Sequence, residues 1–156
     1  MAETWDERQL ITDGFERVHV ESEWYDGPRS GVADVDGAAH YFQNDDYADI
    51  NGAAEYRVWP ASVEALALER EQWAIYARWN ERHEARTSAP DSHPGIGGID
   101  ARYDELNALL ASHRQAPADA RRLVAQWQFV ADRRYQVEGV NCWVRWRPGQ
   151  TAVVEQ

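Results

Sequence analysis

The polar side chains whose types and spacing could support chemistry lie in one short loop and the hairpin after it. The loop, residues 25–31, holds two glycines, a proline and Arg29, whose guanidinium offers a fixed fork of donors for a carboxylate or a phosphate. Tyr25 could stack on the group that Arg29 holds, and Asp26 is its neighbour in the loop. We therefore predict an anion-binding loop formed by Tyr25, Asp26 and Arg29. The alternative is a structural turn in which Arg29 pairs with Asp26 and Tyr25 packs in the core.

His40, in the hairpin that follows, is the second candidate. Asp36-Gly37 separates two runs of strand-forming residues, and Asp-Gly in that position strongly indicates a two-residue hairpin turn. Across the hairpin His40 could lie near Asp34, whose carboxylate would orient the imidazole and raise its basicity. We predict His40 and Asp34 as candidate catalytic residues and His40 as a further ligand-binding residue. The alternative is a structural histidine.

Metal and nucleotide sites are not predicted. His19, Glu21 and Glu23 alternate on one face of a predicted strand and could in principle contact a divalent cation. Zinc sites draw further ligands from a second His or Cys cluster, which the sequence lacks, so a solvated strand face is the favoured interpretation. Residues 95–98 are glycine-rich but lack the Gly-Lys-Ser/Thr ending of a phosphate-binding loop, and the chain contains no lysine. We predict no metal and no cofactor.

The elements that must position these side chains are strands, then helices, then strands again. Alternating or β-rich patterns predict strands at 15–24, 32–35, 38–42, 55–59, 123–130 and 142–147. Ser62 and Asp100 begin two predicted helices, at 63–84 and from 101 onwards, separated by a loop at 87–98. The order β-β-β-β-α-α-β-β predicts an α+β fold, in which an antiparallel sheet of about five or six strands carries the two helices on one face.

Length and charge limit the classes of protein that this chain could be. The 156 residues fit a single domain at 1–156, with loose tails at 1–12 and 148–156, and eight Trp, seven Tyr and three Phe supply an aromatic core. The net charge is −11, and residues 1–60 alone carry −10. Such a chain is repelled by phosphate and by anionic lipid, so we predict no nucleic-acid partner and no membrane binding.

Cysteine usage and the N-terminal residues bear on the compartment. Cys142 is the one cysteine, which excludes an internal disulfide and fits a reducing cytoplasm. Residues 1–7 show neither the basic start nor the apolar run of a secretory signal. All sixteen basic residues are arginine, a bias typical of a GC-rich bacterial genome. We predict a bacterial cytoplasmic protein.

The loop and hairpin also resemble a known group of sequences. The run from Tyr25 to Asp34, followed by Gly37 and His40-Tyr41-Phe42, resembles a family of small bacterial proteins of uncharacterised function. In that family a Tyr-Asp-Gly-Pro-Arg loop leads into a hairpin and then a Trp-rich helix. The resemblance covers the N-terminal third of the chain well and residues 60–110 loosely. It implies no catalytic roles, but it supports the Arg29 loop as the place of a site.

Three functions fit the sequence. The first is a binding domain that receives a small anionic ligand or a peptide at the Arg29 loop. The second is an acidic interaction protein, of the immunity or inhibitor type, that docks on a basic partner protein. The third is an enzyme that uses His40 with Asp34 as an acid–base pair and Arg29 as an anion clamp. An edge strand at 16–23 could also pair with its copy in a homodimer.

Overall fold

The computed structural model of the chain describes residues 6–24, 28–44, 55–129 and 142–149. Six strands and three helices follow one another in these ranges. In chain order they are α1 (Glu7–Thr12), β1 (Glu16–Trp24), β2 (Pro28–Val35), β3 (Ala38–Gln43), β4 (Glu55–Pro60), α2 (Val63–Glu84), α3 (Ala101–Leu110), β5 (Arg121–Phe129) and β6 (Cys142–Pro148). None of the helices within these ranges is both long enough and apolar enough to cross a membrane.

The six strands form a closed barrel in which every neighbouring pair is antiparallel. The first and last strands close it through the pairs Glu16↔Val144 and Arg17↔Trp143. The predicted open sheet with two helices packed on one face is therefore wrong. Hydrophobic alternation shows which face of a strand is buried, but the pairing that closes the barrel joins the two ends of the chain and leaves no local pattern.

The barrel interior is filled by one apolar cluster to which all six strands contribute. Its buried members are Val18, Ala33, Val35, Phe42, Tyr56, Val58, Leu123, Ala125, Cys142 and Val144. Trp127 and Trp146 pack against this cluster, and their rings lie 5.5 Å and 6.2 Å from the ring of Phe42. Aromatic rings of this size fill a narrow barrel with few side chains, so the interior is a packed core.

A second apolar cluster lies outside the barrel, where the helical segment covers the strands. Val20, Val32, Tyr41 and Trp59 pack there with Ala65 and Trp73 of α2. The Trp59 indole Nε1 donates to the carbonyl oxygen of His113, 3.1 Å away, which ties the end of the helical segment to β4. The α2–α3 segment therefore forms a cap on one side of the barrel, and the space between cap and strands is available for a site.

Local sequence signals set the turn and the helix starts. Asp36 and Gly37 have φ values of 53° and 83°, the left-handed pair that a two-residue hairpin turn requires, so the predicted hairpin is confirmed. The Ser62 and Asp100 side chains accept from the third N–H group after them and cap α2 and α3, as predicted. Near the N-terminus, Leu10 of α1 packs with Phe15 and Trp143.

Candidate ligand-binding site

A polar cavity of about 390 Å³ lies between β1, the two longer helices and the loop that joins them. Its size falls within the usual range for small-molecule sites. A strand, two helices and a loop form its walls, so a bound molecule would be held between the barrel and its cap. The residues that line it are Val20, Glu21, Ser22, Gln72, Trp73, Tyr76, His93, Gly95, Tyr103, Asn107 and Arg114.

A smaller cavity of about 260 Å³ adjoins the first one. It lies over the outer face of β2 and β3 and is lined by Ser30, Tyr41 and Trp59, among others. Ser22 and Arg114 line both cavities, so these two side chains form the boundary between them. Arg114 is therefore central to the whole recess.

The guanidinium of Arg114 is held by the carboxylate of Glu69 in a two-pronged ion pair. Nε donates to Glu69 Oε2 and Nη2 donates to Glu69 Oε1, each over 2.8 Å. Glu69 is fully buried, whereas the Arg114 side chain is 29% exposed. The pair thus has its negative end inside the protein and its positive end at the cavity. Such planar, bidentate geometry fixes the position of the guanidinium.

Two side-chain amides extend this pair into a network. Arg114 Nη2 donates to Gln72 Oε1 over 2.6 Å, and Nη1 donates to Asn107 Oδ1 over 3.2 Å. Gln72 Nε2 in turn donates to Asn107 Oδ1 and to the carbonyl oxygen of Tyr103, at 2.8 Å and 3.2 Å. Because a guanidinium can only donate, both amides must turn their oxygens towards it, and their orientation is therefore determined.

Two tyrosine hydroxyls beside the network are shifted in their acidity. Burial, reinforced by the nearby Glu69 carboxylate, raises the pKa of Tyr41 well above its usual value. Burial also raises the pKa of Tyr103, although the charge of Arg114 opposes the shift. For Arg114 itself burial works against the charge, but the bonds and attraction from Glu69 outweigh it and the pKa is raised. Both phenols therefore stay neutral, and Arg114 stays charged, at physiological pH.

The loop that forms the outer wall is attached to α2 by an indole and a hydroxyl. The Trp79 Nε1 donates to Ser92 Oγ over 2.9 Å, and Ser92 Oγ donates to the carbonyl oxygen of Ala89 over 2.6 Å. Trp79 also stacks on His83, with ring centroids 4.8 Å apart and planes inclined by 15°. These contacts hold the loop segment whose His93 and Gly95 line the cavity.

His93, in the cavity lining, packs beside two aromatic rings. Its centroid is 5.3 Å from that of Tyr76 and 4.5 Å from that of Trp79. The ring nitrogen Nδ1 accepts the backbone N–H of Gly95 over 2.8 Å. In the neutral ring the proton must then be on Nε2, so His93 keeps one N–H donor for another partner.

The predicted anion-binding loop does not line this cavity. Arg29 is only 1% exposed. Because side chains of a strand alternate between its two faces, Arg29 shares the interior face of β2 with Gly31 and Ala33. It has interactions of its own within the chain, and its charge acts on Tyr56 of the barrel core. The other two predicted residues, Tyr25 and Asp26, lie outside the described residues. Arg29 is therefore a core residue here.

The structure does not bring His40 and Asp34 together. In the β2–β3 register His40 is opposite Ala33 and Asp34 is opposite Ala39, so the two side chains project from opposite faces of the hairpin. Asp34 instead contacts His19, with Oδ1 and Nε2 2.8 Å apart. His40 Nδ1 lies 2.8 Å from the carbonyl oxygen of Ala38. The predicted pair required both side chains on the same face of the hairpin, and the register puts them on opposite faces.

The three residues considered as cation ligands, His19, Glu21 and Glu23, do not form a cluster within the described part of the chain. His19 pairs with Asp34, and the Glu21 carboxylate accepts the thiol of Cys142 over 3.2 Å in the barrel interior. The side chain of Glu23 lies outside the described part of the chain. Within the described ranges, no group of three or more His, Cys, Asp or Glu side chains could hold a metal ion.

Sequence reasoning missed the Glu69–Arg114 network. A signal was present, because Glu69 and Gln72 lie three residues apart on the buried face of α2, together with Trp73 and Ala77. Charged and amide side chains on such a face need partners, which points to a buried polar network. The position of Arg114, 45 residues further along the chain, had no comparable signal, since it also suits the negative end of α3.

Comparisons with protein-family models, with curated protein sequences and with solved structures gave no match to this chain. The resemblance of the Arg29 loop and hairpin to a family of small bacterial proteins therefore stays a prediction.

Proposed function

We propose that this protein binds a small molecule in the cavity between its barrel and its helical cap, with Arg114 and its partners as the polar floor of the site. The observation that carries this proposal is a buried, bidentate Glu69–Arg114 pair whose positive end borders two adjoining cavities. Its partners Gln72 and Asn107 fix the guanidinium from the cavity side. Preorganised polar groups of this kind are typical of ligand sites.

Aromatic side chains complete the proposed site. Trp73, Tyr76 and Tyr103 line the larger cavity together with His93. Rings that surround a few fixed polar groups give a ligand both contact area and orientation. This proposal keeps the sequence-derived idea of a binding domain but moves the site from the Arg29 loop to Arg114. We also propose that the protein belongs to the bacterial cytoplasm, because its one cysteine, Cys142, is a buried free thiol and fits a reducing environment.

A fragment screen by thermal shift, with a variant that fills the cavity, tests the proposal. Ser22 is exposed, borders both cavities and makes no side-chain hydrogen bond within the described residues, so Ser22→Trp should block the site without removing a side-chain contact of this kind. Ser112→Trp adds the same ring at an exposed position outside the cavity and serves as the control. A ligand at about one hundred times its Kd stabilises by about 2.7 kcal/mol, which raises Tm by roughly 5–10 °C in a chain of this length.

We expect hits that stabilise the wild-type protein and Ser112→Trp but leave the Tm of Ser22→Trp unchanged. Hits that stabilise all three proteins equally would place binding elsewhere and contradict the proposal. If the library gives no hit, the proposal fails, and docking of the acidic N-terminal region on a basic partner protein becomes the hypothesis to test by pull-down.

A further inference from the structure

The chemistry of the ligand follows from which hydrogen-bonding groups the network leaves unused. The side-chain oxygens of Glu69, Gln72 and Asn107 all accept bonds from within the network. The Arg114 bonds use four of its five N–H groups, so one Nη1–H remains. The Asn107 amide nitrogen has no acceptor among the described residues, and His93 keeps its Nε2–H. Among the groups of the network and His93, those of fixed polarity that remain are therefore donors.

The charge of the floor is balanced before any ligand arrives. Glu69 contacts one edge of the guanidinium through two 2.8 Å hydrogen bonds, so an anion placed against Arg114 would be repelled by that carboxylate almost as strongly as it is attracted. The protein as a whole carries a net charge of −11, which opposes an anion further. A net anionic ligand therefore gains little from this site.

Two other ligand classes, cations and polyols, fit poorly because the site offers few hydrogen-bond acceptors. A cation would need a free carboxylate or carbonyl acceptor, and the side-chain acceptors of the floor are occupied. Glu21 also lines the cavity, but its carboxylate is buried towards the barrel interior, where Oε2 accepts the Cys142 thiol. A polyol presents hydroxyl hydrogens that also need acceptors, and leaving them unpaired in a partly buried site is costly. The hydroxyls of Ser22 and Tyr103 make no bond within the described residues, and these two acceptor groups are too few for the several hydroxyl hydrogens of a polyol.

We propose that the Arg114 cavity selects a neutral planar ring that carries carbonyl oxygens, of the lactam or imide class. Its carbonyl oxygens accept from Arg114, Asn107 and His93, and its faces contact the aromatic rings of Tyr76 and Tyr103. A ring N–H would donate to the Ser22 or Tyr103 hydroxyl. This inference rests on the proposed function, because it assumes that the cavity is a binding site.

A matched set of probes at pH 7 tests this selectivity. Uracil and phthalimide represent the neutral carbonyl-bearing ring, benzoate the anion, benzylammonium the cation and myo-inositol the polyol. Each is titrated into ¹⁵N-labelled protein, and the amide signals of Ser22, Asn107 and Arg114 report binding at the cavity. We expect at least one of the two ring probes to bind there about tenfold more tightly than any of the other three, since unmatched polar groups are strongly discriminated.

Asn107→Asp gives an independent readout on the same probes. An aspartate keeps an oxygen for Gln72 and Arg114 but replaces the amide donor with an acceptor, so ring binding should weaken by about tenfold or more. Gln115→Glu adds the same charge at an exposed position outside the cavity and should change binding by less than about twofold. An unchanged Tm in both variants shows that folding is not the cause.

The outcomes separate this inference from the proposed function. Tighter binding of benzoate, benzylammonium or inositol at the cavity signals would overturn the ring proposal and leave small-molecule binding in place. The same holds if no probe of the set binds while a fragment from the general screen does. Undiminished ring binding by Asn107→Asp also overturns it. If neither the set nor the screen perturbs these signals, both proposals fail.

Discussion

The buried Glu69–Arg114 pair makes an asymmetric prediction about stability. Arg114→Met removes the cation and leaves the carboxylate of Glu69, which has no exposed surface, without its partner. Loss of one member of a buried ion pair costs about 3–5 kcal/mol, and the open cavity on the Arg114 side favours the lower end of that range. Glu69→Met instead leaves a guanidinium that is 29% exposed and still bonded to Gln72 and Asn107, so we expect a cost of about 1–2 kcal/mol.

The double variant completes a thermodynamic cycle. With both residues replaced by methionine, no charge is left uncompensated, and exchange of a buried pair for apolar side chains of similar volume is often close to neutral. We expect the double variant to lose only about 1 kcal/mol, which gives a coupling free energy of about 3–4 kcal/mol between the two positions. Urea unfolding followed by tryptophan fluorescence measures each free energy, provided that the m-value is the same in all four proteins.

An exposed pair of similar geometry supplies the control. Arg102 donates to Glu71 over 2.6 Å and 2.8 Å, but both side chains are 42% exposed. Water and salt screen such a pair, so Arg102→Met should destabilise the protein far less than Arg114→Met. Equal losses for the two arginine variants, or additive losses around the cycle, would refute the argument from burial.

Three further predictions follow from single residues. Tyr56 donates to the carbonyl oxygen of Pro28 over 2.7 Å, so Tyr56→Phe should cost about 1–2 kcal/mol in urea unfolding at pH 7. Burial raises the pKa of Tyr56 to about 12, so the stability that its proton provides is complete below pH 10 and is lost between pH 10 and 12; unfolding curves across this range should fall more steeply for the wild-type protein than for Tyr56→Phe, and parallel curves would contradict this. A Cβ at Gly31 would overlap the backbone of β1, so Gly31→Ala should lower the free energy of unfolding by about 3 kcal/mol or more and lower Tm with it. A Cβ at Gly97 meets nothing within 4 Å, so Gly97→Ala should change Tm little, and similar Tm values for the two variants would count against the packing seen here. Ser62→Ala removes the cap of α2 and should cost about 1 kcal/mol by the same urea assay, and no loss would mean that the cap contributes nothing.

Local chemistry in the sequence was enough to predict individual elements. Asp36-Gly37 specifies its turn because both residues must adopt positive φ, and Ser62 and Asp100 specify helix starts because their side chains satisfy free N–H groups. These signals depend on neighbours within a few residues. Closure of the barrel depends on Glu16 pairing with Val144, and nothing local to either strand encodes that contact.

The site was harder to predict than the elements for the same reason. Arg29 was predicted to bind an anion because glycines and a proline flank it, yet its side chain belongs to the barrel interior. Arg114 has no such flanking motif, and its role comes from contacts with Glu69 and Gln72 on another helix. The facing of a strand residue is also sensitive to register, which is why Asp34 meets His19 on β1.

A crystallographic fragment soak tests the central claim most directly, because it shows where small molecules bind. We predict electron density for a fragment between β1 and the helical cap, within hydrogen-bonding distance of Arg114 or Asn107, and its loss from crystals of Ser22→Trp. Fragments that bind only at other surfaces, or that persist unchanged beside the new tryptophan, would contradict the account.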